Sequence, residues 1–217
     1  MTAIYFDLDG TLTDPKPGIT RSIQYALGKL DRPVPPEDAL SWCIGPPLLP
    51  SLKKLLGDDE LAKRALLLYR ERYSDVGLFE NHVYSGIEDV LSVLSGAGRR
   101  LFVATSKPGV FADRILAHFK MTAYFERVFG SELDGRRSDK SELLSHALQA
   151  TGVDPGQAIM IGDRMHDMIG ARNNGMTAIG VLYGYGDRQE LTEAGAHHLC
   201  ATPLGLLEHA NEVGIGP

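Results

Sequence analysis

From about residue 100 onward the sequence alternates short, almost wholly apolar runs with segments of helical periodicity. No other feature restricts the fold so strongly. Leu101-Phe102-Val103-Ala104 and Ala158-Ile159-Met160-Ile161 carry no polar residue on either face. A strand of that kind must be covered on both sides, and helix-length connections join strands that run parallel. The pattern therefore predicts an α/β fold with a doubly wound parallel sheet. Strands are expected over residues 100–105, 125–129, 158–162, 177–181 and 197–200. Helices are expected over 87–94, 108–119, 138–151, 165–175, 188–194 and 203–213. One more strand, Ala3-Ile4-Tyr5-Phe6, opens the chain.

Between that first strand and the alternating region the character changes. Residues 15–81 show no strand signal. Helical spacing of apolar residues predicts helices over 19–30, 37–42, 48–56 and 59–76. The breaks between them are rich in proline and glycine, with Arg32-Pro33-Val34-Pro35-Pro36 after the first helix and Cys43-Ile44-Gly45-Pro46-Pro47 after the second. The expected organisation is an α/β core of residues 1–14 and 82–217, with a small all-helical domain, 15–81, inserted after the first strand. Leu61, Ala65 and Leu68 on one stripe read as ordinary packing. Gly45-Pro46-Pro47 reads either as a stiff connector or as a loop facing a substrate.

A chain of 217 residues suffices for one core plus such an insertion. With 43% hydrophobic and 23% charged residues, the composition is that of an ordinary globular protein. The net charge of −6 argues against nucleic-acid binding, which needs a basic footprint. No apolar run approaches the ~18 residues needed to cross a bilayer. Cys43 and Cys200 are expected as buried thiols rather than a disulfide framework. The first strand begins almost at Met1 with no leader-like segment ahead of it, so the expected location is cytoplasmic. Both a monomer and a homodimer are compatible with the sequence.

In a parallel sheet of this kind, ligands bind beyond the carboxyl ends of the strands. Four places there carry polar residues. The first strand runs into Asp7-Leu8-Asp9-Gly10-Thr11-Leu12-Thr13-Asp14, where strand alternation puts Asp7 and Asp9 on one face and Gly10 allows a turn. Two adjacent carboxylates repel, and a hard divalent cation such as Mg²⁺ relieves that repulsion. Thr105-Ser106-Lys107-Pro108 combines a hydroxyl with backbone amides at a helix start, which is an anion site or a simple N-cap. Gly162-Asp163-Arg164-Met165-His166-Asp167 places two acids about one helical turn apart, either completing an oxygen-rich cation site or favouring a helix start. Lys140 opens a helix, where a cation is locally unfavourable. It is either a solvated lysine or one turned inward to pair with anions, with Lys107 as the alternative.

Taken in order, these stretches resemble the four motifs of the haloacid dehalogenase-like hydrolases. Asp7 to Asp14 resembles motif I, Thr105 motif II, Lys140 motif III, and Gly162-Asp163-x-x-x-Asp167 motif IV. The helical insertion is similar to the C1 cap of that superfamily. Thr105-x-Lys107-Pro108 and Ile44-Gly45-Pro46-Pro47 resemble its phosphoglycolate phosphatase-like branch. One departure is that Lys140 is followed by Ser141-Glu142-Leu143, where many relatives carry prolines.

The resemblance implies a Rossmann-like core and a Mg²⁺-dependent phosphatase. Asp7 would be the nucleophile that forms an aspartyl-phosphate, and Asp9 the general acid and base. Mg²⁺ would be held by Asp7, the backbone carbonyl of Asp9, and Asp163, with Asp167 in support. Thr105, Ser106 and Lys140 would bind the phosphoryl group. Both motif I acids are present, whereas dehalogenase relatives lack the second and phosphonatase relatives replace it. The implied substrate is a small phosphorylated metabolite, with 2-phosphoglycolate and a nucleoside monophosphate as candidates. Gly45, Pro46, Arg21, Lys53 and Arg70 are candidate specificity residues in the cap. The alternatives are a sugar phosphomutase of the same fold and a non-catalytic binding module.

Overall fold

The computed structural model describes residues 2–212. Its first element is β1 (Ala3–Phe6), all four residues of which are buried. Strand alternation sends Ile4 and Phe6 to one side and Ala3 and Tyr5 to the other. These two sets enter two separate apolar layers. The run is apolar on both faces because β1 is central in the sheet.

After β1 the chain makes the two-residue strand β2 (Thr13–Asp14) and helix α1 (Lys16–Lys29). A 3-10 segment, Glu37–Cys43, follows, then α2 (Leu48–Leu56) and α3 (Asp59–Tyr73). Asp58 caps α3 by accepting from the Leu61 amide at 2.7 Å. The short strand β3 (His82–Val83) then pairs antiparallel with β2. The remaining elements alternate: α4 (Ile87–Gly96), β4 (Arg100–Pro108), α5 (Gly109–His118), β5 (Arg127–Ser131), α6 (Lys140–Thr151), β6 (Ala158–Gly162), α7 (Met165–Asn173), β7 (Thr177–Val181), α8 (Arg188–Glu193), β8 (His198–Cys200) and α9 (Gly205–Glu212). The helix expected over 203–213 ends at Val213, which lies outside the described residues.

The main sheet has the order β5-β4-β1-β6-β7-β8, and every pairing in it is parallel. Strand order reverses at β1. The chain crosses to β4 and β5 on one side, then returns to β6 on the other. The carboxyl ends of β4, β1 and β6 therefore border one crevice, with Phe6 in register with both Val103 and Ile161. Such a switch point is where a doubly wound sheet offers a site. One layer packs Tyr5, Phe102 and Met160 against Leu143, Leu144 and Met168 of α6 and α7. The other joins Ile4, Phe6 and Val103 to α4, α5 and the helical insertion.

Several boundaries differ from the sequence reading for physical reasons. β5 starts at Arg127, not at residue 125, because Phe125 turns inward to meet the Phe6 ring edge-on at 6.2 Å. β4 continues to Pro108 through a ladder irregularity after Thr105. The β2–β3 ribbon has no counterpart in the sequence reading, since two-residue strands carry no periodicity. Both cysteines are buried free thiols. No helix among the described residues is long and apolar enough to cross a membrane.

Where the chain re-enters the core, α1 is pressed against Gly77. The Gly18 amide donates to the Glu80 carbonyl at 3.1 Å, and a Cβ on Gly18 would lie 1.9 Å from the Gly77 carbonyl oxygen. Gly18→Ala should therefore force backbone apart and cost about 1–3 kcal/mol. Gly28→Ala, in the same helix with open space around it, should be neutral or stabilising by up to about 1 kcal/mol. Denaturant melts of the two variants measure the difference.

Candidate active site

Asp7 and Asp9 follow β1 directly, and both are buried, at 4% and 7% exposure. Burying a carboxylate without a partner is costly, so their surroundings decide what they can do. Each has its own lysine. Lys140 Nζ lies 3.0 Å from Asp7 Oδ1 and 2.7 Å from Asp167 Oδ1, and donates to the Ala104 carbonyl at 2.8 Å. Lys107 Nζ lies 2.6 Å from Asp9 Oδ2 and donates to the Tyr73 hydroxyl at 2.6 Å. Lys140 starts α6 after the N-cap Asp139, and its pairing with Asp7 and Asp167 explains how a lysine is tolerated at that helix start.

Burial works against the charge on Lys140, but Asp167 and Asp7 outweigh it and hold the lysine above its ordinary range. Burial pushes Asp9 upward, opposed by Lys107. Burial likewise pushes Asp167 up to about 6, opposed by Lys140. Asp163 is fully buried, and burial together with Asp167 and Asp7 pushes it well up. Its carboxylate accepts from the Tyr185 amide at 2.8 Å and from the Thr11 hydroxyl at 3.4 Å, and it makes no ion pair among the described residues.

These residues fit a hard cation. Ligand oxygens of Asp7, Asp163 and Asp167 lie within 4.8 Å of one another, and all three residues are buried. Lys140 serves two of the three carboxylates and leaves Asp163 uncompensated. An all-oxygen donor set of this charge suits a divalent ion of the Mg²⁺ type. Asp167 also accepts from the Arg164 amide at 3.1 Å, so both of its oxygens have protein partners.

A cavity of about 390 Å³ leads from Asp7 and Asp9 to the helical insertion. Thr105 and Ser106 line its floor. Gly45, Pro46, Pro47 and Leu48 form one wall, and Tyr69 and Arg70 of α3 another. The loop after β5, including Glu132 and Leu133, contributes a third wall. Besides the Lys107–Tyr73 contact, two arginines fasten the insertion over the core. Arg164 donates from Nη1 to the Ile44 carbonyl at 2.6 Å and from Nε to Glu190 at 2.8 Å. Arg70 donates to the Leu133 carbonyl at 2.7 Å. Gly45 has φ +95°, and a Cβ there would approach Arg164 Cγ to 2.7 Å, so a side chain would obstruct the first fastening.

Asp7, Asp9, Thr105, Ser106, Lys140, Asp163 and Asp167 thus meet at one end of the sheet. Gly45, Pro46 and Arg70 face the cavity. Two expectations are corrected. Arg21 pairs with Glu37 at 3.0 Å and Glu80 at 3.2 Å, and Lys53 with Asp59 at 2.9 Å. Neither lines the cavity, because acids on the insertion's own surface hold them. Sequence reasoning also missed Tyr73, whose apolar helical spacing marks it only as core, and the fastening role of Arg164.

The family described as haloacid dehalogenase-like hydrolase matches residues 4–181. A 5'-nucleotidase of Pseudomonas aeruginosa is 50% identical over 204 residues, which cover 94% of this chain and 92% of that one. The tyrosine-protein kinase PtkA of Mycobacterium tuberculosis is 42% identical over 183 residues, covering 84% of this chain but 62% of its own length. The crystal structure of a predicted phosphatase from Clostridium acetobutylicum has a TM-score of 0.94 at 43% identity, covering 97% of this chain and 98% of that one.

Replacing Lys140 by Met would leave Asp7 and Asp167 buried without a cation, at a cost of about 3–5 kcal/mol at neutral pH. Burial already holds the Asp167 carboxyl above its ordinary range against the opposing pull of Lys140, and without the lysine that opposition is gone. The deficit should therefore be full at neutral pH and shrink as pH falls and Asp167 takes up a proton. Urea melts of both proteins at several pH values measure it.

Proposed function

Because the chain belongs to the haloacid dehalogenase-like hydrolases, we propose that it uses Mg²⁺ and an aspartyl-phosphate on Asp7 to hydrolyse a nucleoside monophosphate. That it is a phosphoric monoester hydrolase accords with its phosphatase and nucleotidase relatives. The observation that carries the mechanism is the separate pairing of the two motif I acids. Asp7 is held by Lys140 beside the acid cluster, and Asp9 by Lys107 away from it.

Asp7 is the nucleophile. One of its oxygens attacks phosphorus while the bond to the leaving oxygen breaks. Asp9 protonates that oxygen, then takes a proton from the water that hydrolyses the intermediate. Thr105, the Ser106 amide and Lys140 offer hydrogen bonds to the phosphoryl oxygens, whose charge must be stabilised throughout. Asp7, Asp163 and the Asp9 carbonyl would hold Mg²⁺, which when bound offsets the phosphoryl charge that repels a carboxylate nucleophile. Asp167 fixes Lys140.

The cavity favours a nucleoside over glycolate as leaving group. Its volume of about 390 Å³ and its Pro46, Pro47, Leu48, Leu49, Tyr69 and Phe111 lining suit a body with apolar faces. Arg70 supplies a hydrogen-bonding edge. On the third wall Glu132 is paired with Arg137 and Asp134 with Arg136 at 2.8 Å, so neither arginine is free to receive a second carboxylate. The nucleotidase named among the relatives is in accord with this choice.

The test is phosphate release from nucleoside monophosphates, sugar phosphates and 2-phosphoglycolate, with Mg²⁺ and with a chelator. Release should be fastest from a nucleoside monophosphate, vanish with chelator, and fall at least about a thousandfold in Asp7→Asn. Transfer to a sugar or a protein tyrosine without free phosphate would instead make the enzyme a phosphotransferase. The metal assignment has its own readout. Mg²⁺ at a hundred times its dissociation constant should stabilise the protein by about 2.7 kcal/mol, and Asp163→Asn should abolish that gain.

A further inference from the structure

The two oxygens of Asp9 have unlike surroundings. Oδ2 is 2.6 Å from Lys107 Nζ, whereas Oδ1 has no hydrogen-bond partner among the described residues although it is buried. The same ammonium donates to the Tyr73 hydroxyl at 2.6 Å. Lys107 belongs to β4 of the core, and Tyr73 is the last residue of α3 in the helical insertion. Both face the cavity. Lys107 is 9% exposed and Tyr73 1%, so neither contact is a surface accident.

We propose that Lys107 is a positioning residue for Asp9, and that Tyr73 completes the arrangement only when the insertion is closed over the core. The proposal rests on Asp9 being the general acid and base. An ammonium group can only donate. The oxygen it faces must accept, so a proton on Asp9 resides on Oδ1, and that oxygen is left for the reacting groups. In the first half-reaction an Asp7 oxygen bonds to phosphorus. The bond between phosphorus and the leaving oxygen breaks, its electron pair stays on that oxygen, and Oδ1 supplies the proton. The Asp9 carboxylate that results is stabilised by the charge already beside Oδ2. In the second half-reaction water oxygen bonds to phosphorus and its proton passes to Asp9. The bond from phosphorus to Asp7 breaks and returns its electron pair to Asp7.

Tyr73 makes this arrangement sensitive to closure. Its ring stacks on Tyr69 at 4.9 Å and meets Phe111 edge-on at 5.5 Å. These contacts fix the hydroxyl, which takes a second hydrogen bond from the ammonium and limits its rotation. When the insertion lifts, α3 carries Tyr73 away, Lys107 keeps fewer partners, and Asp9 loses its fixed orientation. Proton transfer is thereby efficient only over an enclosed substrate.

The test compares kcat/KM for a nucleoside monophosphate, whose alkoxide leaves poorly without a proton, with that for p-nitrophenyl phosphate, whose phenolate leaves readily. This ratio covers steps up to formation of the aspartyl-phosphate. Lys107→Met should lose about a hundredfold or more on the nucleotide but less than about tenfold on the aryl ester, the size expected for losing general acid assistance. Tyr73→Phe keeps the ring and removes only the hydroxyl. It should show the same inequality at about three- to tenfold, in kcat rather than KM. Equal losses on both substrates, or none, in Tyr73→Phe would overturn the proposal, whether or not Lys107→Met folds. A wild-type protein silent on every ester would instead overturn the phosphatase reading.

Discussion

The structure turns on charge balance in a buried place. Asp7, Asp163 and Asp167 converge at the carboxyl end of the sheet, with Lys140 as the cation between two of them. Isolated buried carboxylates cost several kcal/mol each, so this cluster survives only because backbone amides, one lysine and, in the proposed function, a divalent ion share its charge. The sheet makes this convergence possible. A parallel arrangement sends every strand's carboxyl end the same way, and the order reversal at β1 opens a crevice there. Lys140 enters that crevice from the first turn of α6 to reach Asp7.

In the proposed function the helical insertion would address a second constraint, the exclusion of water. Its fastenings fall on the most sensitive parts of the core. Arg164 sits between Asp163 and Asp167 in sequence, and its guanidinium reaches the Ile44 carbonyl. Arg70 holds the loop after β5. The insertion therefore walls a cavity and also braces the backbone that carries the acids. Dry surroundings strengthen every charge–charge contact within.

Much of this was legible in the sequence, for identifiable reasons. Strands such as 158–162 are apolar on both faces, and that pattern alone demands burial between two layers of helices. Asp7, Asp9 and Asp163 stand out because acids at the end of apolar strands need a purpose. The rest was hidden because it depends on how the chain turns and on contacts distant in sequence. Nothing beside Arg21 announces Glu80 as its partner, and Lys53 reaches Asp59 only because the chain reverses at Gly57, so their charge alone suggested substrate binding. Tyr73 lies on the same stripe as Ala62, Ala65 and Tyr69, and its hydroxyl differs from core only through the Lys107 ammonium beside it. Phe125 has the character of a strand residue, yet its ring fills space beside Phe6.

In the proposed function the use of two lysines has its own logic. A nucleophile must stay ionised and point at phosphorus, whereas an acid–base group must exchange a proton at one chosen oxygen. A single cation shared by Asp7 and Asp9 would tie the orientation of one carboxylate to that of the other. Splitting the cations lets Lys140 join the acid cluster around Asp7 while Lys107 answers to Asp9 and the insertion. Buried ion pairs of this kind contribute little net stability compared with apolar packing of similar volume. What they contribute is orientation set before the substrate arrives, with no reorganisation at the moment of reaction. The fold therefore tolerates a costly cluster of charge at one sheet end, while its stability rests on the two apolar layers beneath.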